Sequence, residues 1–219
     1  MTAPFELRLW EDQLAAGVTA SAPSFARPVN RIVYVVEGSA AVSGRTLTPN
    51  SACHLAGPLT LTAGSSGTRL WRWELMADDR ESALVPGPVS RLRFVQPVEL
   101  AGGPYLMRCD RVDFPLGGVA YTHTHQGPGI RCLLQGRLTV DTQGRNMPIR
   151  PGEAWFERGP EPVYAAASRT EPTSFVRVMV LPAALRGKSS IRYVDPADQA
   201  KPRTQRYTVF VDEPVELAG

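Results

Sequence analysis

The chain has 219 residues, 43% of them apolar, with 24 basic against 21 acidic side chains, enough to bury one large core or two small ones. Only Lys188 and Lys201 are lysines, and the arginines alternate with acids instead of forming a stripe, so nucleic acid is not expected as a partner. No apolar run approaches membrane-spanning length, which argues against a membrane partner.

From the N-terminus, MTAPFELRLWEDQL shows no basic segment followed by an apolar stretch, as a signal peptide would. Cys53, Cys109 and Cys132 are odd in number and irregularly spaced. That pattern suits reduced thiols, and a cytoplasmic location is expected. EDQLAAG at 11–17 reads as a short helical turn. NRIVYVVEGSAAV at 30–42 reads as strand, punctuated by Gly38, and RLWRWEL at 69–75 alternates with the aromatic content of a strand. The outward face of that second segment looks too apolar to stay wet, which predicts a homodimer. VPGPVSR at 85–91 reads as a connector, dividing the chain into 1–90 and 91–219.

The second half repeats the first. PGIRCLLQGRLTV at 128–140 lies over residues 30–42 when Gly136 is set on Gly38, an offset of 98. RPGEAWFERGP at 150–160 lies over TPNSACHLAGP at 48–58, and PVELAG occurs at both 97–102 and 214–219. Three blocks in one order indicate a tandem duplication. SFVRVMVL at 174–181 is another strand, LPAALRG at 181–187 a second short helical signal, and RYTVFVDEPVEL at 206–217 a strand-like tail that should pack as an added strand or arm. Many short strands and little helix predict an all-β fold of sandwich or barrel type.

The second copy resembles the cupins. Gly117, five residues, His123-Thr124-His125 and then Gly136 follow the family's first motif, and Pro151-Gly152-Glu153 its second. The resemblance covers roughly residues 20–80 and 105–182 and implies two tandem jelly-roll (cupin) barrels, a bicupin. Two of the four usual metal ligands are replaced: the glutamate falls on Gly129, and the third histidine falls near Val163. In the first copy the equivalent positions are Phe25, Arg27 and Arg31, which cannot hold a divalent cation. There a purely structural barrel is expected, with Arg27 and Arg31 as an anion site the other reading. His54 reads as a hydrogen-bonded core or rim residue.

Strand alternation puts Tyr121, His123 and His125 on one face and aims Arg131, two residues beyond Gly129, into the barrel. Glu157 has three open roles: partner of Arg131, third metal ligand beside the histidines, or solvent-facing residue. The pair can hold Zn, Ni, Fe or Cu, or act without metal as an acid–base pair. Two functions follow. One is a metal-dependent enzyme of dioxygenase, isomerase or lyase type on a small anionic or oxygenated metabolite, with Arg131 and Tyr121 as catalytic groups. The other is a non-catalytic small-molecule carrier or sensor.

Overall fold

A computed structural model of the protein describes residues 3–23, 25, 29–77, 84, 89–101 and 103–217. Strands dominate it. The first unit carries β1 (Ala3–Leu14), β2 (Thr19–Ser21), β3 (Asn30–Val42), β4 (Arg45–Leu47), β5 (Ser51–Ala56), β6 (Thr60–Met76) and β7 (Val89–Leu100). They form one sheet in the order β4-β3-β6-β1-β7, with β2 on β6 and β5 on β3.

The second unit carries β8 (Tyr105–Phe114), β9 (Val119–His125), β10 (Gly129–Gln135), β11 (Leu138–Thr142), β12 (Arg145–Ile149), β13 (Ala154–Glu157), β14 (Val163–Ala167), β15 (Thr173–Pro182), β16 (Ile191–Tyr193) and β17 (Arg206–Val215). Here two sheets, β13-β10-β15-β8-β17 and β12-β11-β14-β9-β16, enclose a core that includes Phe114, Leu133, Val140, Trp155, Val163 and Phe175. This is the all-β, jelly-roll arrangement the sequence predicts. The described residues include no helix long and apolar enough to cross a membrane.

The two helical signals resolve differently. Residues 11–14 of EDQLAAG lie in β1, because that strand is paired on both sides, Glu11 with Trp71 and with Arg91. Ladder pairing on two edges outweighs a weak local preference. LPAALRG gives a 3₁₀ turn at Ala183–Leu185, and a second lies at Pro196–Ala200.

The expected division at residue 90 falls instead after Gly103, the last five residues also counting with the first unit. The reason is β7, eleven of whose twelve residues pair in register along β1. Most of the expected connector, residues 85–88, lies outside the described residues.

The duplication shows in local geometry. Ser43-Gly44 and Gln143-Gly144 each join two strands with positive φ at both residues, the requirement of a type I′ hairpin turn. Gly38 and Gly136 both take positive φ, and a Cβ there would meet a backbone oxygen at 2.0 and 2.4 Å. The repeated PVEL closes β7 at Leu100 and straddles the end of β17 at Val215, strands that lie beside β1 and β8 respectively.

RLWRWEL is buried throughout 70–75, with Trp71 and Trp73 at 1% and 0% exposure. Its faces are covered within the chain and supply no motive for a dimer. In the first unit Arg31 pairs with Glu74 at 2.7 Å and lies over the ring of Phe25, so its charge already has a counter-ion. Arg27 lies outside the described residues. His54 Nε2 meets Asn30 Oδ1 at 3.1 Å, and all three cysteines are buried and free.

Candidate functional site

At one end of the second barrel, side chains from both sheets converge. His123 and His125 come from β9, Arg131 from β10, Glu157 from β13 and Arg177 from β15. They line a space of about 20 Å³ walled by Val112, Ala120, Trp155 and Val163. That volume suits one ion or water.

The histidines are anchored through Nδ1. His123 Nδ1 lies 2.7 Å from the Tyr121 carbonyl and His125 Nδ1 lies 3.4 Å from Ser190 Oγ. A carbonyl only accepts, so His123 Nδ1 carries the proton and its Nε2 presents a lone pair. The two Nε2 atoms face each other at 3.2 Å. Burial holds both imidazoles below their ordinary pKa, His125 well below it, where Arg131 and Arg177 add to the effect. Both are therefore neutral at pH 7.

Arg131 is 1% exposed, and burial drops its pKa to about 10 against the opposing pull of Glu157. Its Nη1 donates to the Gly129 carbonyl at 2.5 Å, and its Nη2 stands 2.7 Å from Glu157 Oε2. That last contact is one of charge without alignment, since neither Nη2 nor Oε2 has a hydrogen-bond partner. Glu157 Oε2 also lies 3.3 Å from His125 Nε2, while Trp155 Nε1 donates to Oε1 at 2.9 Å. Glu157 thus joins the Arg131 and histidine groups and does not face solvent.

Tyr121 is not in this group. β9 and β14 change register between the pairs His123–Val163 and Ala120–Ala165. The extra residue of this bulge reverses the alternation, so Ala120 lines the cavity instead. The Tyr121 ring lies 4.4 Å from the Lys201 ammonium, and the acid–base role expected of it is withdrawn.

Sequence spacing missed three participants. Arg177 is forked onto Asp110 at 2.7 and 3.1 Å, Ser190 holds His125, and Tyr207 lies over Arg177 at 5.5 Å. Period-two alternation in SFVRVMVL marked Arg177 as a strand residue, but the flanking valines give no sign that its side chain is the inward one. Among the described residues, no group of three or more His, Cys, Asp and Glu side chains is gathered as a cation cage.

No protein-family model matches the chain, and no curated protein matches it. Solved structures do. A deletion mutant of oxalate decarboxylase OxdC from Bacillus subtilis superposes with a TM-score of 0.63 at 12% identity, covering 89% of this chain and 73% of that one. The fold is that of a bicupin. A putative glyoxylate-induced protein from Pseudomonas aeruginosa (TM-score 0.56, 14% identity, 80% of this chain and 74% of that one) shares it. So does AerE from Microcystis aeruginosa (0.54, 13%, 82% and 88%).

The two positions where the cupin resemblance would set further ligands are both closed in by packing. Gly129 is closed in: a Cβ there would stand 2.5 Å from the Val178 carbonyl oxygen and 2.9 Å from Met179 Cγ. Val163 is 3% exposed, pairs with His123 and belongs to the apolar core.

Proposed function

We propose that the second barrel binds a single divalent metal ion through His123 and His125, a pair that Glu157, now set against Arg131, joins as third donor only by shifting toward the ion, and that it acts on a small anionic or oxygenated metabolite. The observation that carries this reading is the convergence of the two Nε2 atoms at 3.2 Å with His123 locked in the ligand tautomer. Two nitrogens each about 2.0–2.1 Å from one ion keep such a spacing. The residues fit an ion in a second respect. Glu157 Oε2 is buried, lacks a hydrogen bond, and lies 3.3 Å from His125 Nε2. A carboxylate oxygen has two lone pairs, so it can face Arg131 and a cation together.

When bound, the ion would supply Lewis acidity. The chain's own residues do the remainder. Burial keeps the imidazoles unprotonated, so protons compete weakly for Nε2. Ser190 Oγ can accept from His125 Nδ1–H, freeing His125 Nε2. Arg131 Nη2, buried without a hydrogen bond, can take one oxygen of the metabolite and neutralise charge developing there.

The test is equilibrium dialysis against Zn²⁺, Ni²⁺, Fe²⁺ and Cu²⁺ after purification without chelator. One equivalent per chain is expected, lost when both histidines become alanine. Uptake unchanged in that variant refutes the reading.

The confined space, about 20 Å³, favours a second reading in which the barrel holds only an ion or water there and transforms no metabolite. Turnover of any metabolite by the metal-loaded protein would exclude that. The chain pairs as a homodimer in either case, in our reading. β7, the end strand of its sheet among the described strands, leaves Leu92 and Val95 47% and 42% exposed. Light scattering at micromolar concentration tests this, and a monomer would end it.

A further inference from the structure

A second space lies beside the histidine cavity, and Arg177, Ile191 and Tyr207 line both. At about 370 Å³ it has the capacity of small-molecule sites, which the first lacks. Its walls come from β8, β15, β17, the 187–191 segment and Arg203, which precedes β17.

Its charges are of two kinds. Arg177 is forked onto Asp110, and Arg108 onto Asp212 at 2.9 and 3.1 Å. Arg108 also donates to the carbonyls of Lys188 and Leu185, both at 2.7 Å, and Asp212 accepts from Gly187 N at 2.7 Å. These two pairs are neutral and hold the loop in place. Lys188 and Arg203 differ: both are exposed, and neither makes an ion pair among the described residues. The cavity therefore carries an excess of two positive charges over a lining of Tyr207, Val209 and Ile191. Arg203 lies over the Tyr193 ring at 5.8 Å, a contact that leaves its charge uncompensated. An inorganic anion would leave the apolar lining wet, and a neutral apolar molecule would leave both charges without a counter-ion.

We propose that this cavity binds a small organic carboxylate with an apolar body. Its carboxylate group is set against Lys188 and Arg203, and its body against Tyr207, Val209 and Ile191. The site goes beyond the metal reading and does not need an ion in the neighbouring cavity. Tyr207, held over Arg177 at 5.5 Å, stands between the two spaces.

Titration calorimetry on the full chain with naphthalene-2-carboxylate and its neutral amide tests the site. The carboxylate is expected to bind, and the amide to bind about tenfold more weakly or less, the ratio that 1.4 kcal/mol produces. Lys188→Ala with Arg203→Ala should cost the carboxylate a similar factor, and both positions are exposed, so the variant keeps its fold, as a thermal melt can verify. Val209→Trp should abolish binding by filling the cavity. His123→Ala with His125→Ala should leave binding unchanged, which separates this site from the metal reading. The proposal is overturned if the carboxylate does not bind at millimolar concentration, if the amide binds equally well, or if either the double cation variant or Val209→Trp binds as the parent does.

Discussion

Arg72 and Arg177 hold the same register position in the two barrels. Arg72 pairs with Val33 and Arg177 with Arg131, and these partners are 98 residues apart, the offset that sets Gly38 on Gly136. Each arginine is buried and forked onto an aspartate: Arg72 onto Asp12 at 2.8 and 3.2 Å, Arg177 onto Asp110 at 2.7 and 3.1 Å. Asp110 stands directly opposite Arg177, whereas Trp10 stands opposite Arg72 and Asp12 lies two residues further along β1. The duplication kept the buried cation and let its counter-charge move by one pleat.

Removing that counter-charge should be costly. Asp110→Asn leaves the Arg177 cation buried, with an expected loss of about 3–5 kcal/mol in urea unfolding. Replacing both, Arg177→Met with Asp110→Leu, should recover most of the loss, because a well-packed apolar pair avoids the desolvation of two charges. A loss in the double variant as large as in Asp110→Asn would show that the pair has a role besides neutralisation.

Restoring the glutamate at position 129 should fail. A Cβ there meets the Val178 carbonyl at 2.5 Å and Arg131 Nη1 at 3.1 Å. Gly129→Glu is therefore expected to destabilise by about 1–3 kcal/mol through overpacking, with no gain in divalent-ion uptake. Tighter metal binding in this variant would contradict the crowding.

The histidines predict a pH dependence. Burial lowers both pKa values in the folded state, so on acidification the unfolded chain takes up protons that the folded chain refuses. Stability is then full above about pH 6.5, the ordinary imidazole value, and declines as pH falls below it. Melts between pH 5 and 8 should show that decline, and His123→Gln with His125→Gln should flatten it. An equal slope in the variant would assign the effect to other groups.

Two conservative changes discriminate among the residues around the site. Trp155→Phe removes the donor that holds Glu157 Oε1 at 2.9 Å, and should weaken ion uptake about tenfold, as loss of a ligand's supporting hydrogen bond does. Tyr121→Phe should leave uptake unchanged, since only the backbone carbonyl of that residue touches His123. Reversal of the two results would mean that the bulge in β9 is misplaced.

Much of this protein is legible in local pattern. The strands at 30–42, 69–75 and 128–140 announce themselves by apolar runs and alternation punctuated by glycine. These signals are short-range, as is the spacing of His123 and His125. An inward Arg131 also follows from alternation, because no bulge falls between it and Gly129.

What the tertiary structure decided depends on pairing between distant segments. A register shift against β14 took Tyr121 out of the cavity and put Ala120 there. Glu157 met Arg131 and His125 because β13 pairs with β10, Gly129 opposite Glu157. Ser190 and Tyr207 reach the site from a C-terminal segment more than sixty residues beyond the histidines, closing it with side chains that no spacing rule places. At Gly129 the space a side chain would need is taken by the Val178 carbonyl. A local pattern says which way a chain tends to run. Crowding, counter-charge and the identity of a neighbour are properties of two segments together, and only the fold brings those segments into contact.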